Sequence, residues 1–121
     1  MEPDEVRPAC QSWLALGFSR LRRAAAALLA DPSSEEVLLF GALARGDWDA
    51  RSDVDLLAVA ADQAADQAAA ERLAEALRGP ALADDLIALS YPLWQQRQSS
   101  KDPLWRGICR DAIRLAGGSL P

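Results

Sequence analysis

Asp53 and Asp55 stand two residues apart at the head of an apolar run, Val54 to Ala60. In a strand, residues i and i+2 share a face, so both carboxylates would project side by side while Val54 turns into the core. Two oxygen ligands on one rigid face suit Mg²⁺, which takes few carboxylates and completes its octahedron with water and phosphate oxygens. Upstream, Val37 to Phe40 runs into Gly41, and a short loop with Arg45 and Gly46 follows. Two strand-like runs flanking a glycine-bearing turn describe a phosphate cradle. Gly41 and Gly46 would permit the turn and let the backbone approach a ligand closely. Arg45 offers a planar fork to phosphate, or a surface ion pair to Asp47 or Asp49, and spacing leaves both open. Taken alone, the acid pair is equally well read as a solvated strand start. The loop ahead of it favours a cation-and-phosphate site.

The elements that must position these groups follow from periodicity. Residues from about Pro8 to Ala30 are predicted as a helix, with Leu14, Phe18, Leu21, Ala25 and Leu28 on one face. Asp31-Pro32-Ser33-Ser34 ends it in a turn. Val37 to Phe40 is the first strand, apolar on both faces and so buried. Gly41 to Gly46 would open a short helical turn, and Asp47 to Arg51 is a polar connector whose Trp48 is read first as a packing residue. Val54 to Ala60 is the second strand. Asp62 to Arg78 is an alanine-rich helix stopped by Gly79-Pro80. Ala83 to Leu89 is the third strand. Ser90 is placed as the cap of a short helix through Trp94, with Pro92 in its first turn. Gln95 to Lys101 is expected as a mobile polar loop. Asp102 caps a last helix that Pro103 begins, with Leu104, Ile108, Ala112 and Leu115 on one face and Gly117-Gly118 as its end.

Composition bounds the rest. A chain of 121 residues suits one domain with an adequate core, so residues 1–121 are expected as a single unit. The formal charge of −5 disfavours a nucleic-acid polymer, since an acidic protein gains little from counterion release. A free nucleotide carried with its cation is easier to accept. The two cysteines, Cys10 and Cys109, have no Cys-x-x-Cys spacing and no histidine beside them, which argues against zinc. Free buried thiols are the default, with a Cys10–Cys109 disulfide as the lesser alternative. The acidic N-terminus is unlike a signal peptide and no apolar run reaches spanning length. The expected setting is cytoplasmic, with no membrane.

The stretch from Phe40 to Val59 resembles the signature of the minimal nucleotidyltransferases of the DNA polymerase β-like superfamily. That pattern is a Gly-Ser pair, a loop with Ala-Arg-Gly, then Asp-x-Asp; here these are Gly41-Ala42, Ala44-Arg45-Gly46 and Asp53-Val54-Asp55, with Ser52 also matching. Asp85-Leu86-Ile87-Ala88-Leu89-Ser90 is similar to the family's third-carboxylate strand, and Asp102-Pro103-Leu104-Trp105-Arg106 to the start of its last helix.

The resemblance implies an α+β fold, a small mixed sheet of three or more strands packed with helices in the order helix-strand-strand-helix-strand-helix. It implies a catalytic and metal-holding set of Asp53, Asp55 and Asp85, with two Mg²⁺ ions. It implies nucleotide contact at Gly41, Ala42, Arg45, Gly46 and Ser52, with ATP or another nucleoside triphosphate as substrate. Strand alternation allows only one of Asp84 and Asp85 onto the site face, and the match favours Asp85. The implied reaction is transfer of a nucleoside monophosphate, AMP in the first instance, to a hydroxyl. The implied partner is a HEPN toxin whose antitoxin this chain would be, in a homo- or hetero-oligomer. Ala42 departs from the pattern: the missing serine hydroxyl costs about 1.5–3 kcal/mol of bonding to a charged oxygen. The alternative is therefore a catalytically weakened binding module that acts by occluding its partner. Transfer to a small molecule such as an aminoglycoside ranks last, because no second domain is evident to build an acceptor pocket.

Overall fold

The apolar runs form strands where they were expected: β1 (Glu35–Phe40), β2 (Asp55–Ala60) and β3 (Asp85–Ser90). A computed structural model describes residues 22–30, 34–45, 54–60, 67–80 and 82–117. A fourth strand, β4 (Ile113–Gly117), completes a sheet of order β3-β2-β1-β4. β1 runs antiparallel to both β2 and β4, while β2 and β3 are parallel. Parallel neighbours need a long crossover, and here it contains the helix α3 (Gln67–Arg78). The remaining helices are α1 (22–27), α2 (Ala42–Arg45), α4 (Tyr91–Gln98) and α5 (Pro103–Asp111).

Alternation along the strands divides the core in two. Val37, Leu39, Leu56 and Ala58 pack against Ala25 of α1 and Leu73, Ala74 and Leu77 of α3. Leu38, Leu57, Val59 and Leu89 face the other way, onto Trp94 of α4 and Ile108 of α5. Both faces of β1 and β2 are covered, which is why their sequences read as unbroken apolar runs. The result is the mixed sheet packed with helices that the resemblance implied.

Three expectations need correction. The last helix stops at Asp111, and Ala112 leaves it with extended backbone (ψ 140°). Ile113 to Gly117 then pair with β1 as β4 instead of continuing the helix. The open edge of β1 needs a hydrogen-bonding partner, and that demand outweighs the helical spacing of Leu115. Second, Gln95 to Gln98 belong to α4 and not to a loop. Trp94 is buried and anchors the helix, and the glutamines are good helix formers on its solvent side. Third, Ser90 occupies the N-cap position of α4 but makes no side-chain capping bond. Its N–H instead donates to Gln67 Oε1 at 2.9 Å, and Gln67 Nε2 donates to the Ala88 carbonyl at 2.7 Å, so one amide stitches α3 to β3. Asp102 does cap α5, its Oδ1 accepting the Leu104 N–H at 2.9 Å. The expected helix upstream of residue 22, the connector with Trp48, and Cys10 lie outside the described residues. Cys109 is a free thiol, donating to the Arg97 carbonyl across 3.8 Å, and burial pushes its pKa up.

Candidate functional site

The site gathers at one end of the sheet, where β1 finishes and β2 and β3 begin. Gly41 follows β1 with φ +78°, a conformation that side-chain-bearing residues rarely adopt. A second constraint applies at the same residue: a Cβ on Gly41 would fall on Oδ2 of Asp55. The missing side chain is thus the space in which the Asp55 carboxylate lies. Arg45 N–H donates to the Gly41 carbonyl at 3.1 Å, closing α2 as a single turn.

Register brings the acids together. Phe40 pairs with Asp55, and Asp55 pairs with Asp85. Residues in register on neighbouring strands share a face, with strands about 4.8 Å apart. The two carboxylates therefore stand side by side on the face that α4 and α5 cover further along. Val54 between Asp53 and Asp55 is fully buried, as alternation requires. Asp85 is exposed.

Asp84 does something else. Its Oδ2 accepts the Val54 N–H at 2.9 Å. The N–H groups of Asp84 and Asp85 both donate to the Val54 carbonyl, at 2.9 and 3.2 Å. This clamp ties the start of β3 to the start of β2 and sets the register that aligns Asp55 with Asp85. The sequence match favoured Asp85 for the site but gave no sign of this duty of Asp84.

A cleft of about 480 Å³ opens beside this corner, within the range of small-molecule pockets. Phe40, Gly41, Ala42, Arg45 and Asp55 form its sheet side. Its other wall is α5, through Pro103, Leu104, Gly107, Ile108, Arg110 and Asp111. The sequence reading assigned α5 no such role. One signal was available in the sequence, a glycine inside a helix; the 64% exposure of Leu104, whose spacing put it on a buried stripe, appears only in the structure.

The charges of the cleft are mixed. Arg110 donates from Nε and Nη2 to the two oxygens of Asp111, each at 3.0 Å. This fork holds the Asp111 carboxyl below its ordinary range, and Arg45 nearby pulls it the same way. Arg45 thus reaches the field of Asp111; Asp47 and Asp49, its other expected partners, lie outside the described residues, as do Gly46, Ser52 and Asp53. Among the described residues no cluster of three metal-ligating side chains occurs. Asp55 and Asp85 are hard oxygen donors at the strand ends, a chemistry that fits a magnesium-type cation.

Residues 20–102 match the nucleotidyltransferase domain. No curated protein matched the chain, and no solved structure did. The matched segment spans more than half of the sequence and takes in Gly41, Asp53, Asp55 and Asp85, with β1, β2 and β3 around them. With that match laid over a mixed sheet whose strand ends pair two carboxylates beside a glycine turn, the chain belongs to the nucleotidyltransferase domain family.

Proposed function

We propose that this chain is a Mg²⁺-dependent enzyme that moves AMP from ATP to a hydroxyl group on a protein, a HEPN-type toxin for which it serves as antitoxin. The observation that carries the reading is the in-register pair Asp55 and Asp85 beside Gly41, whose absent Cβ makes room for the Asp55 carboxylate. Asp53, Asp55 and Asp85 would hold the cations. Bound Mg²⁺ would neutralise triphosphate charge and stabilise the attacking and leaving oxygens.

The chain's own residues then orient and desolvate. The backbone from Gly41 to Arg45 cradles phosphate oxygens, with Ala42 and Arg45 beside them; Gly46 and Ser52, outside the described residues, are assigned to the same contact by the resemblance alone. The acceptor oxygen forms a bond to the α-phosphorus, the bond from that phosphorus to the β-phosphate oxygen breaks, and pyrophosphate leaves. The hydroxyl proton passes to Asp85 or to solvent. Positioning and charge complementarity supply most of the rate in transfers of this kind. Among the described residues no helix is long and apolar enough to cross a membrane.

Ala42 favours a second reading, a binding module that occludes its partner with little catalysis. The two separate in one experiment. The protein is incubated with α-labelled ATP, Mg²⁺ and the product of the neighbouring gene. Label transfer that drops at least about 100-fold in Asp53→Asn, Asp55→Asn and Asp85→Asn supports the enzyme, the scale of loss expected when charge stabilisation goes. Complex formation that survives all three variants with no label moved supports the binding module.

A further inference from the structure

We infer that Arg110, moored by Asp111 on the α5 wall, is the residue that grips the distal phosphates of the nucleoside triphosphate; this rests on the proposed reading of the cleft. Arg110 lies beyond residues 20–102, yet it lines the same cleft as Gly41, Ala42 and Asp55. Its guanidinium lies back along the helix: Nη2 is 3.8 Å from where a Cβ on Gly107 would stand. That glycine also lines the cleft, so no side chain screens the cation from it.

The Asp111 carboxylate lies in the field of both Arg110 and Arg45, and the guanidinium of Arg110 stands at the mouth of the cleft that these residues line. The fork to Asp111 uses Nε and Nη2. An arginine has five N–H donors, so Nη1 keeps both of its hydrogens for phosphate oxygens while the fork stays closed. The side chain is 74% exposed, so turning it toward a ligand requires no repacking. The position also answers the departure at Ala42. Ala42 brings no hydroxyl to the sheet side of the cleft, and a charge-assisted donor from α5 is the stronger kind of phosphate contact. Because the carboxylate pair occupies the sheet side, where the reacting phosphorus would sit, Arg110 on the opposite wall meets the phosphates further out.

The test is binding, measured by calorimetry with Mg²⁺ present, of ATP, AMP and inorganic tripolyphosphate. Arg110→Gln is expected to weaken ATP and tripolyphosphate by about tenfold or more, the value of a hydrogen bond to a charged group, and to leave AMP unchanged. Arg110→Lys, which keeps the charge without the fork, should recover part of the loss. Asp111→Asn, which frees the guanidinium, should show a smaller loss than Arg110→Gln. An unchanged melting temperature for each variant separates these effects from folding. The inference is overturned if Arg110→Gln binds ATP like the parent, or loses ATP and AMP equally. If the parent protein itself binds no ATP, the reading of the cleft fails first, and this inference with it.

Discussion

At the scale of single residues, Gly41 carries two constraints that no other residue type meets. Its φ of +78° disfavours any Cβ, and the position of that Cβ belongs to the Asp55 carboxylate. Gly41→Ala is expected to cost about 1–3 kcal/mol in chemical denaturation and to weaken Mg²⁺ binding, because Asp55 must swing away. Gly79→Ala is the control: its Cβ would meet the Ala76 carbonyl at 3.7 Å, an ordinary contact. Asp84 makes the complementary case. It was read as a competitor of Asp85 for the site, and strand alternation said only that one of them could be there. What separates them is a hydrogen bond from the buried Val54 to Asp84 Oδ2 at 2.9 Å, which residue types do not display. Asp84→Ala strands that N–H and is expected to cost about 1–3 kcal/mol. Asp84→Asn retains an acceptor oxygen and should lose clearly less, with both read from urea midpoints.

At the scale of elements, legibility depended on whether local pattern and tertiary demand agreed. β1 and β2 are apolar runs bounded by turn residues and covered on both faces, and β3 is an apolar run half-buried at the sheet edge, so burial and propensity point the same way. α5 and β4 are where they diverge. Leu104, Ile108 and Leu115 keep helical spacing, yet Ile113-Arg114-Leu115 also alternates, and a five-residue strand is too short for periodicity alone to decide. The edge of β1 decides it, with a register shift between Val37 and Leu38 admitting the new strand. Gly117 at its end has φ +75°, and a Cβ there would strike the Glu35 carbonyl; the glycine marks the strand's last residue, not a helix stop. Gly107 and Arg110, within α5, line the cleft. Gly107→Ala should stabilise the protein by up to about 1 kcal/mol through helix propensity, since its Cβ meets only the flexible end of Arg110 at 3.8 Å. Gly107→Leu should fill the cleft and weaken ATP binding without lowering the melting temperature, a split that a purely structural glycine would not produce.

At the scale of the whole molecule, the sheet separates the corner that carries the acid row and the glycine turn from the opposite end of β1. Phe40, Asp55 and Asp85 share one register row; Glu36 sits at the far end of β1, paired with Val59 and Gly117. Glu36 is buried, with Arg114 reaching it at only 3.7 Å. Burial raises its pKa above the ordinary 4.5, and the attraction of Arg114 offsets this only in part. The folded state therefore holds this proton more tightly than the unfolded state does. Between pH 4.5 and the raised value, unfolding releases a proton, so stability falls as pH rises through that window and stays lower above it. Glu36→Gln removes the charge while keeping the shape. It is expected to melt higher than the parent at pH 7 to 8, with the difference shrinking as the pH is lowered and the folded parent takes up its proton. ATP binding should be unaffected, because the row of acids lies at the other end of the strand. A Glu36→Gln protein that melts lower than the parent at neutral pH would show that the ion pair with Arg114 outweighs the burial of the carboxylate.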